Sequence, residues 1–115
     1  MDTCRALVLS GGGNNGAWEA GVLYGLINNA SDPVDYQYDV VTGVSAGAIN
    51  TIALAGWELG KEKEMVSWLC DLWSDLKTSD VWKDWRLGGK AVGLTIKQGV
   101  VDNSPLLAFL RKVIS

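Results

Sequence analysis

The sequence predicts an α/β fold in which a mostly parallel sheet carries helices on its faces. A short apolar segment, residues 6–9, leads through one serine into three glycines, and a second segment, residues 38–42, also ends at a glycine. A helical pattern follows each segment, so the predicted order is strand, helix, strand, helix. Short connections in this order produce a right-handed crossover and a parallel sheet.

The first strand and helix are predicted from composition and spacing. Ala6 to Leu9 is a continuous apolar run, which is typical of a strand buried on both faces. From Gly16 to Asn29 small residues recur at four-residue intervals, so that one side of a helix can lie close to the sheet. The turn-forming residues 28–33 then end this helix.

The second strand and helix follow the same plan. Tyr38 to Thr42 is rich in β-branched residues and predicts a strand that stops at Gly43. The segment from Ala46 to about Leu59 is almost entirely apolar, which predicts a buried helix, and Gly60 is placed to end it.

The rest of the chain predicts two more helices. Lys61 to Lys77 alternates apolar and charged faces at helical spacing, as a surface helix does. Residues 88–101 are punctuated by glycine and predict irregular or weakly extended structure. Ser104 is the predicted N-cap of a final helix, with Pro105 at its first position.

Only two strands are clear in the sequence, whereas sheets average about 5–6 strands and an isolated parallel pair leaves both edges bare. We therefore interpret residues 1–115 as the N-terminal portion of a single, truncated domain.

Composition excludes several function classes. The 115 residues include ten Lys and Arg against thirteen Asp and Glu, and the net charge of −3 argues against nucleic acid as a partner. The absence of histidine excludes a Ser-His-Asp triad and an HExxH zinc site within this chain. Cys4 and Cys70 match no metal-ligand spacing, so we expect two reduced thiols and no metal.

The sequence also predicts a soluble chain, cytoplasmic or peripheral to a membrane. No signal peptide pattern is present near the first residues. The longest apolar stretch, Ala46 to Trp57, is interrupted by Asn50 and Thr51 and is shorter than the ~18–20 residues of a membrane span.

A GxSxG motif occupies the second junction between strand and helix, at Gly43 to Gly47. This position is the context in which such a motif presents a nucleophilic serine, because the turn is too sharp for side chains two residues away. Ser45 would then project from a helix N-terminus, where free N–H groups favour a developing anion. A glycine turn that merely closes a buried strand is the alternative.

Two interpretations compete for Gly11 to Gly16, at the first junction. As GxGxxG the segment matches a dinucleotide fingerprint, with Asp35 or Asp39 near the position of a ribose ligand. As an oxyanion hole, Gly11, Gly12 and Gly13 would offer unshielded N–H groups beside Ser45. Together with an exposed serine, the second interpretation indicates acyl transfer.

These two motifs carry a family resemblance. Residues 10–16, after a first strand, and residues 38–50, which contain GxSxG, resemble the patatin-like phospholipase family, and Asp102 to Leu106 looks like that family's downstream segment. The resemblance implies a three-layer α/β/α fold and a lipid acyl hydrolase that needs no cofactor. It implies Ser45 as the nucleophile of a Ser-Asp dyad, which agrees with the absence of histidine.

The oxyanion-hole interpretation and the sharp turn also assign roles to the glycines. Gly11, Gly12 and Gly13 would hold the oxyanion, and Gly16, Gly43 and Gly47 would support the two motifs. The resemblance implies a lipid acyl ester as the substrate, and a membrane surface is a further candidate partner.

The sequence departs from the family pattern in two places. Asn15 stands where the family commonly has Arg or Lys, so a contact with an anionic head group is not expected there. No Asp is followed by glycine, although the family's catalytic Asp lies in such a segment. Asp39 is carried away from Ser45 by its strand, and Asp102 suits the start of a helix. The expected base therefore lies beyond residue 115.

Two other functions stay open at this stage. The chain could be an inactive form that binds a lipid or a protein partner without turnover, or it could be a dinucleotide-binding module. Six tryptophans bear on lipid contact. We expect four of them to pack in helices and two to be candidates for contact with lipid: Trp18, Trp57, Trp68 and Trp73 in the first group, and Trp82 and Trp85 in the second.

Overall fold

Two parallel strands form the sheet, and each is followed by a helix. The structure is a computed structural model and describes residues 3–84, 90, 99 and 101–114. It contains two compact units, Met1–Asp75 and Leu76–Ser115. The elements of the first unit are, in order, β1 (Ala6–Leu9), α1 (Asn15–Asn29), a 3₁₀ turn (Pro33–Asp35), β2 (Val40–Gly43), α2 (Ala46–Gly56) and α3 (Glu62–Asp75). The predicted α/β class is confirmed.

The register of the two strands brings their glycine motifs to one edge of the sheet. Ala6 lies opposite Val40 at the amino end, and Leu9 lies opposite Gly43 at the carboxyl end. Because the strands are parallel, both chains leave the sheet at the same edge. The two loops that follow β1 and β2 are therefore neighbours.

Helices of the first unit cover one face of this sheet. Leu9 is buried, and Leu7 packs against the helical core. Side chains alternate between faces along a strand, and on the other face Val8 is 74% exposed and Val40 45% exposed. Within the first unit, the described residues thus form one helical layer on one sheet.

The core lies between the three helices. Its buried members come from all of them: Ala20, Leu23 and Ile27 of α1, Ala53 of α2, and Met65, Val66 and Leu69 of α3. The α3 members are spaced at one, three and four residues, which places them on one face of that helix. The amphipathic helix predicted for residues 61–77 is therefore confirmed, with ends at Glu62 and Asp75.

The predicted end of α2 is wrong by three residues. The helix stops at Gly56 rather than Leu59, because Trp57 adopts extended backbone dihedral angles (φ −88°, ψ 152°). The Trp57 ring packs against the core, with its centroid 5.3 Å from that of Trp68. Gly60, with φ of 90°, lies in the turn before α3 and does not end α2.

The second unit contains two helices in its described part, α4 (Thr78–Val81) and α5 (Ser104–Ile114). An antiparallel bridge joins Lys83 to Asp102. Most of the segment 88–101, predicted to be irregular, lies outside the described residues. The predicted N-cap is wrong, because Ser104 is itself the first residue of α5. The Asp102 carboxylate accepts the Ser104 N–H at 2.9 Å.

The tryptophans divide differently from the prediction. Trp57, Trp68 and Trp73 pack against the core as expected. Trp18 does not, because it lies on the outer side of α1 and is 72% exposed. Trp82 is half-buried, and Trp85 lies outside the described residues.

Candidate active site

Ser45 occupies the turn between β2 and α2 in a backbone conformation that L-residues rarely adopt. Its dihedral angles are φ 55° and ψ −121°, and it is the one non-glycine residue with positive φ in the described part of the chain. Such a conformation costs about 1–3 kcal/mol and persists only where its surroundings enforce it. The Ser45 side chain is exposed at the start of α2.

This turn is possible because Gly43 and Gly47 have no side chains at two points where neighbouring atoms come very close. A Cβ atom on Gly43 would overlap the Gly47 carbonyl group and the Thr51 hydroxyl oxygen. A Cβ atom on Gly47 would lie 2.6 Å from the carbonyl oxygens of Leu9 and Ser10. The elbow, defined as residues 43–47, is thus pressed against the end of β1.

The glycine loop, defined as residues 10–13, lies directly beside Ser45. A Cβ atom on Gly11 would be 3.1 Å from the Ser45 Cβ atom and 3.3 Å from the Val44 carbonyl oxygen. Gly12 and Gly13 have φ values of 135° and 60°, where glycine is strongly favoured. Of the three glycines that the sequence singled out, the structure thus places Gly11 against Ser45, and Gly12 and Gly13 continue the same loop.

The N–H groups of Gly11, Gly12 and Gly13 donate to no acceptor among the described residues. The carbonyl oxygens of Gly12 and Gly13 do have partners, the N–H groups of Asn15 and Gly16 at 3.2 Å. Unpaired backbone donors are uncommon in folded proteins unless they face water or a ligand. Gly12 and Gly13 are exposed, so this part of the loop is open to solvent at the carboxyl end of the sheet.

Gly16 serves a different purpose from the other glycines of its motif. It is buried, and a Cβ atom there would overlap the Trp73 ring and lie 2.9 Å from the Ala46 Cβ atom. Gly16 therefore allows close contact between the starts of α1 and α2. Asn15, the first residue of α1, places its side chain beneath Gly12, since a Cβ atom there would be 2.5 Å from the Asn15 Nδ2 atom.

The acidic residues expected for a ribose ligand lie at the opposite end of the sheet. Asp39 precedes β2, and its carboxylate accepts the Arg5 N–H at 2.7 Å. The carbonyl oxygen of Asp35 accepts a hydrogen bond from the Arg5 guanidinium at 3.2 Å. The four residues of β1, spanning roughly 13 Å, separate this end from the glycine loop. The structure thus does not unite the glycines with either acidic residue.

Ser45 has no side-chain hydrogen bond to a base in the described structure. Asp102 is engaged elsewhere: hydrogen bonds from Ser104, then Lys83, hold the pKa of its carboxyl below the ordinary value. A depressed pKa keeps Asp102 ionised at the start of α5, in agreement with its expected structural role.

The sequence did not predict a cluster of polar side chains that contacts the first residue of the glycine loop. Glu19, Asn50 and Trp73 come from α1, α2 and α3 and are joined by hydrogen bonds. In the sequence, the sign of this cluster was Asn50, because it is a polar residue within an otherwise apolar helix. Nothing in the sequence pairs it with Glu19, 31 residues away, or with Trp73.

The family model for patatin-like phospholipase matches residues 7–115. The chain belongs to the patatin-like phospholipase family. Neither a curated protein nor a solved structure gives a significant match. Members of this family are hydrolases of lipid metabolism, so family membership associates the chain with lipid substrates and with hydrolysis in general.

The described part of this patatin-like chain contains neither a membrane-spanning helix nor a cluster of metal-ligating side chains. Within the described ranges, no helix combines the length and the apolar character that crossing a bilayer requires. In the same ranges, no group of three or more His, Cys, Asp or Glu side chains is arranged to hold a metal ion.

Proposed function

We propose that this patatin-like chain provides the nucleophile and the oxyanion hole of a lipid acyl hydrolase. Ser45 would attack the acyl ester, and the N–H groups of Gly11, Gly12 and Gly13 would hold the oxyanion. The observation that carries the proposal is a strained, exposed serine in contact with Gly11, in a loop whose three glycine N–H groups have no partner among the described residues. A turn that only closed a strand would need neither feature.

The proposed reaction proceeds through an acyl-enzyme. Oγ of Ser45 forms a bond to the ester carbonyl carbon while its proton passes to a carboxylate base. The carbonyl oxygen becomes an oxyanion, and donors of this kind typically lower the barrier by about 3 kcal/mol each. The carbon to leaving-oxygen bond then breaks, and the leaving alcohol takes the proton. Water, deprotonated by the same base, releases the fatty acid and restores Ser45.

The described structure contains no base hydrogen-bonded to Ser45, so the base is part of the proposal alone. Family members use an aspartate for this step, and we propose that it lies in a segment beyond residue 115. Residues 1–115 would then form the N-terminal portion of one patatin-like domain. The apolar face of the sheet at Val8 and Val40 is compatible with further layers of such a domain.

Reaction with a fluorescent fluorophosphonate, read by intact mass, tests the nucleophile directly. The 115-residue chain and a version extended in frame to the next Asp-Gly segment are compared. Ser45→Ala should abolish labelling, whereas Ser31→Ala, a change at an exposed turn serine, should leave it intact. We expect labelling at Ser45 in the extended version.

The outcomes separate the candidate functions. Labelling of the extended version alone would make the 115-residue chain an inactive part of a hydrolase. Labelling of neither version would contradict the proposal and favour a protein that binds lipid or a partner without turnover. Protection by NAD against thermal unfolding, without labelling, would indicate a dinucleotide module instead.

A further inference from the structure

A buried carboxylate accepts hydrogen bonds from the first residue of the glycine loop. Glu19 of α1 is 7% exposed. Its Oε1 atom accepts both the N–H of Ser10, at 2.9 Å, and the Ser10 hydroxyl, at 3.0 Å. Burial of an ionised carboxylate is costly unless hydrogen bonds replace its hydration. These two bonds supply that replacement at the first residue of the loop.

The peptide unit between Leu9 and Ser10 links this carboxylate to the elbow. Its N–H donates to Glu19, and its carbonyl oxygen accepts the Val44 N–H at 3.2 Å. A peptide unit is planar, so an N–H fixed in direction also fixes the carbonyl group. Glu19 therefore sets the orientation of the carbonyl group that holds the residue preceding Ser45.

Asn50 extends the anchor to the helix that begins after Ser45. This fully buried side chain donates from Nδ2 to Glu19 Oε2 at 3.1 Å and to the Gly16 carbonyl oxygen at 3.0 Å. Its Oδ1 atom accepts the indole N–H of Trp73 at 2.7 Å. Both donors and the acceptor of the amide are thus used, and such satisfied networks are rigid.

We propose that Glu19, Asn50 and Trp73 are positioning residues for the reaction at Ser45. They would hold the glycine loop and the elbow at a fixed separation, so that the loop donors face the developing oxyanion. The inference rests on the proposed function. A displacement of ~1 Å can cost about 10²-fold in rate, which is why such a support would matter.

Two tryptophans of α3 provide a matched test. Trp73 donates to Asn50, whereas the Trp68 indole N–H donates to no group among the described residues, and both rings are partly buried against the core. In the extended version, we expect Trp73→Phe to lower the rate constant of Ser45 phosphonylation by about 10- to 100-fold. The apparent affinity for the fluorophosphonate should change little. Trp68→Phe should change neither the rate constant nor the apparent affinity, even if it lowers the melting temperature as much as Trp73→Phe does.

Amide hydrogen exchange provides a readout that needs no activity. We expect Trp73→Phe to increase exchange at Ser10 and Val44 by about tenfold, because local opening becomes easier. Trp68→Phe should leave both amides protected. Glu19→Gln places an amide donor opposite the Nδ2 donor of Asn50, so we expect it to increase amide exchange at Ser10 and Val44 more than Trp73→Phe does. Glu64→Gln, at an exposed position, is its control.

The outcomes distinguish this inference from the proposed function. Equal exchange at Ser10 and Val44 in the two tryptophan variants would overturn the positioning role, whether or not Ser45 is labelled. An unchanged phosphonylation rate in Trp73→Phe would overturn it as well. Failure of the unaltered extended version to label would contradict the proposed function, and the exchange comparison would still decide whether the network holds the loop.

Discussion

The two ends of the parallel sheet are held together in different ways. At the carboxyl end the backbones of the elbow and the glycine loop are in direct contact, and Gly47 approaches the carbonyl oxygens of Leu9 and Ser10. At the amino end, the backbone hydrogen bonds from Asp39 and Val40 to the Arg5 carbonyl oxygen are supplemented by polar side chains, as in the hydrogen bond from the Arg5 N–H to the Asp39 carboxylate. The guanidinium of Arg5 also lies 5.3 Å from the centre of the Tyr38 ring.

This difference indicates where the chain tolerates change. Exposed hydrogen bonds and ion pairs contribute little individually, because water replaces them. Backbone contacts without side chains leave no free volume, so that any added atom must displace a neighbour. The carboxyl end is therefore geometrically constrained, which is the property expected of a site that must hold donors beside a serine.

The largest expected effect is at Gly47. Gly47→Ala would place a methyl group against two backbone carbonyl oxygens, and we expect the free energy of unfolding to fall by about 3 kcal/mol. Gly25→Ala is the control, since no atom lies within 4 Å of the new methyl group. This change within α1 should raise the free energy by about 0.5–1 kcal/mol. Urea denaturation measures the free energy of unfolding of both variants. Equal stabilities of Gly47→Ala and Gly25→Ala would contradict the close contact at Gly47.

The next effect concerns the strained backbone at Ser45. Ser45→Gly should raise the free energy of unfolding by about 1 kcal/mol, because glycine adopts a positive φ without steric cost. Ser45→Ala keeps the Cβ atom and should leave stability within ~0.5 kcal/mol of the original. Both variants should lose fluorophosphonate labelling. Denaturation curves in which Ser45→Gly is the less stable of the two would argue against strain at this turn.

A smaller effect is expected at the amino end. Asp39→Asn weakens the acceptor of the Arg5 N–H and should cost about 0.5–1 kcal/mol of stability. Labelling at Ser45 should be unchanged, since Asp39 lies at the other edge of the sheet. Asp71→Asn, an exposed change on α3, serves as the control. Loss of labelling in Asp39→Asn alone would show that the two ends are coupled.

The smallest effect is a pH dependence at Glu62, near the amino end of β2. Partial burial alone would raise the pKa of this carboxyl, but hydrogen bonds from the Gly60 N–H and the Gln37 side chain outweigh it, and the pKa lies below the ordinary value of 4.5. A depressed pKa contributes stability above the unfolded-state value, and this is lost as pH falls through the folded-state value.

Glu62→Gln should therefore cost about 0.5 kcal/mol or less at pH 7, because the carboxylate is partly solvated. The difference from the original chain should shrink as pH falls below 4.5 and disappear in acid below the lowered folded-state pKa. Unfolding free energies measured at both pH values test this sign. A difference that grew toward acid pH would contradict the assigned hydrogen bonds.

The sequence alone predicted β1, most of α1, α3 and the two glycine motifs at their junctions. These features depend on local requirements: apolar runs, helical periodicity and glycine where no Cβ atom fits. The resemblance to the patatin-like family rested on the same residues, and the family match over residues 7–115 confirms it. The assignment of Ser45 and of the glycine donors remains a prediction.

Only the tertiary structure decided features that depend on distant residues. α2 ends at Gly56 because Trp57 packs beside Trp68 of another helix, a contact that no local pattern contains. Trp18 is exposed because the core is filled from the other side of α1. The pairing of Asn50 with Glu19 joins residues 31 positions apart, and hydrogen-bond partners at such separations become neighbours only when the helices assemble.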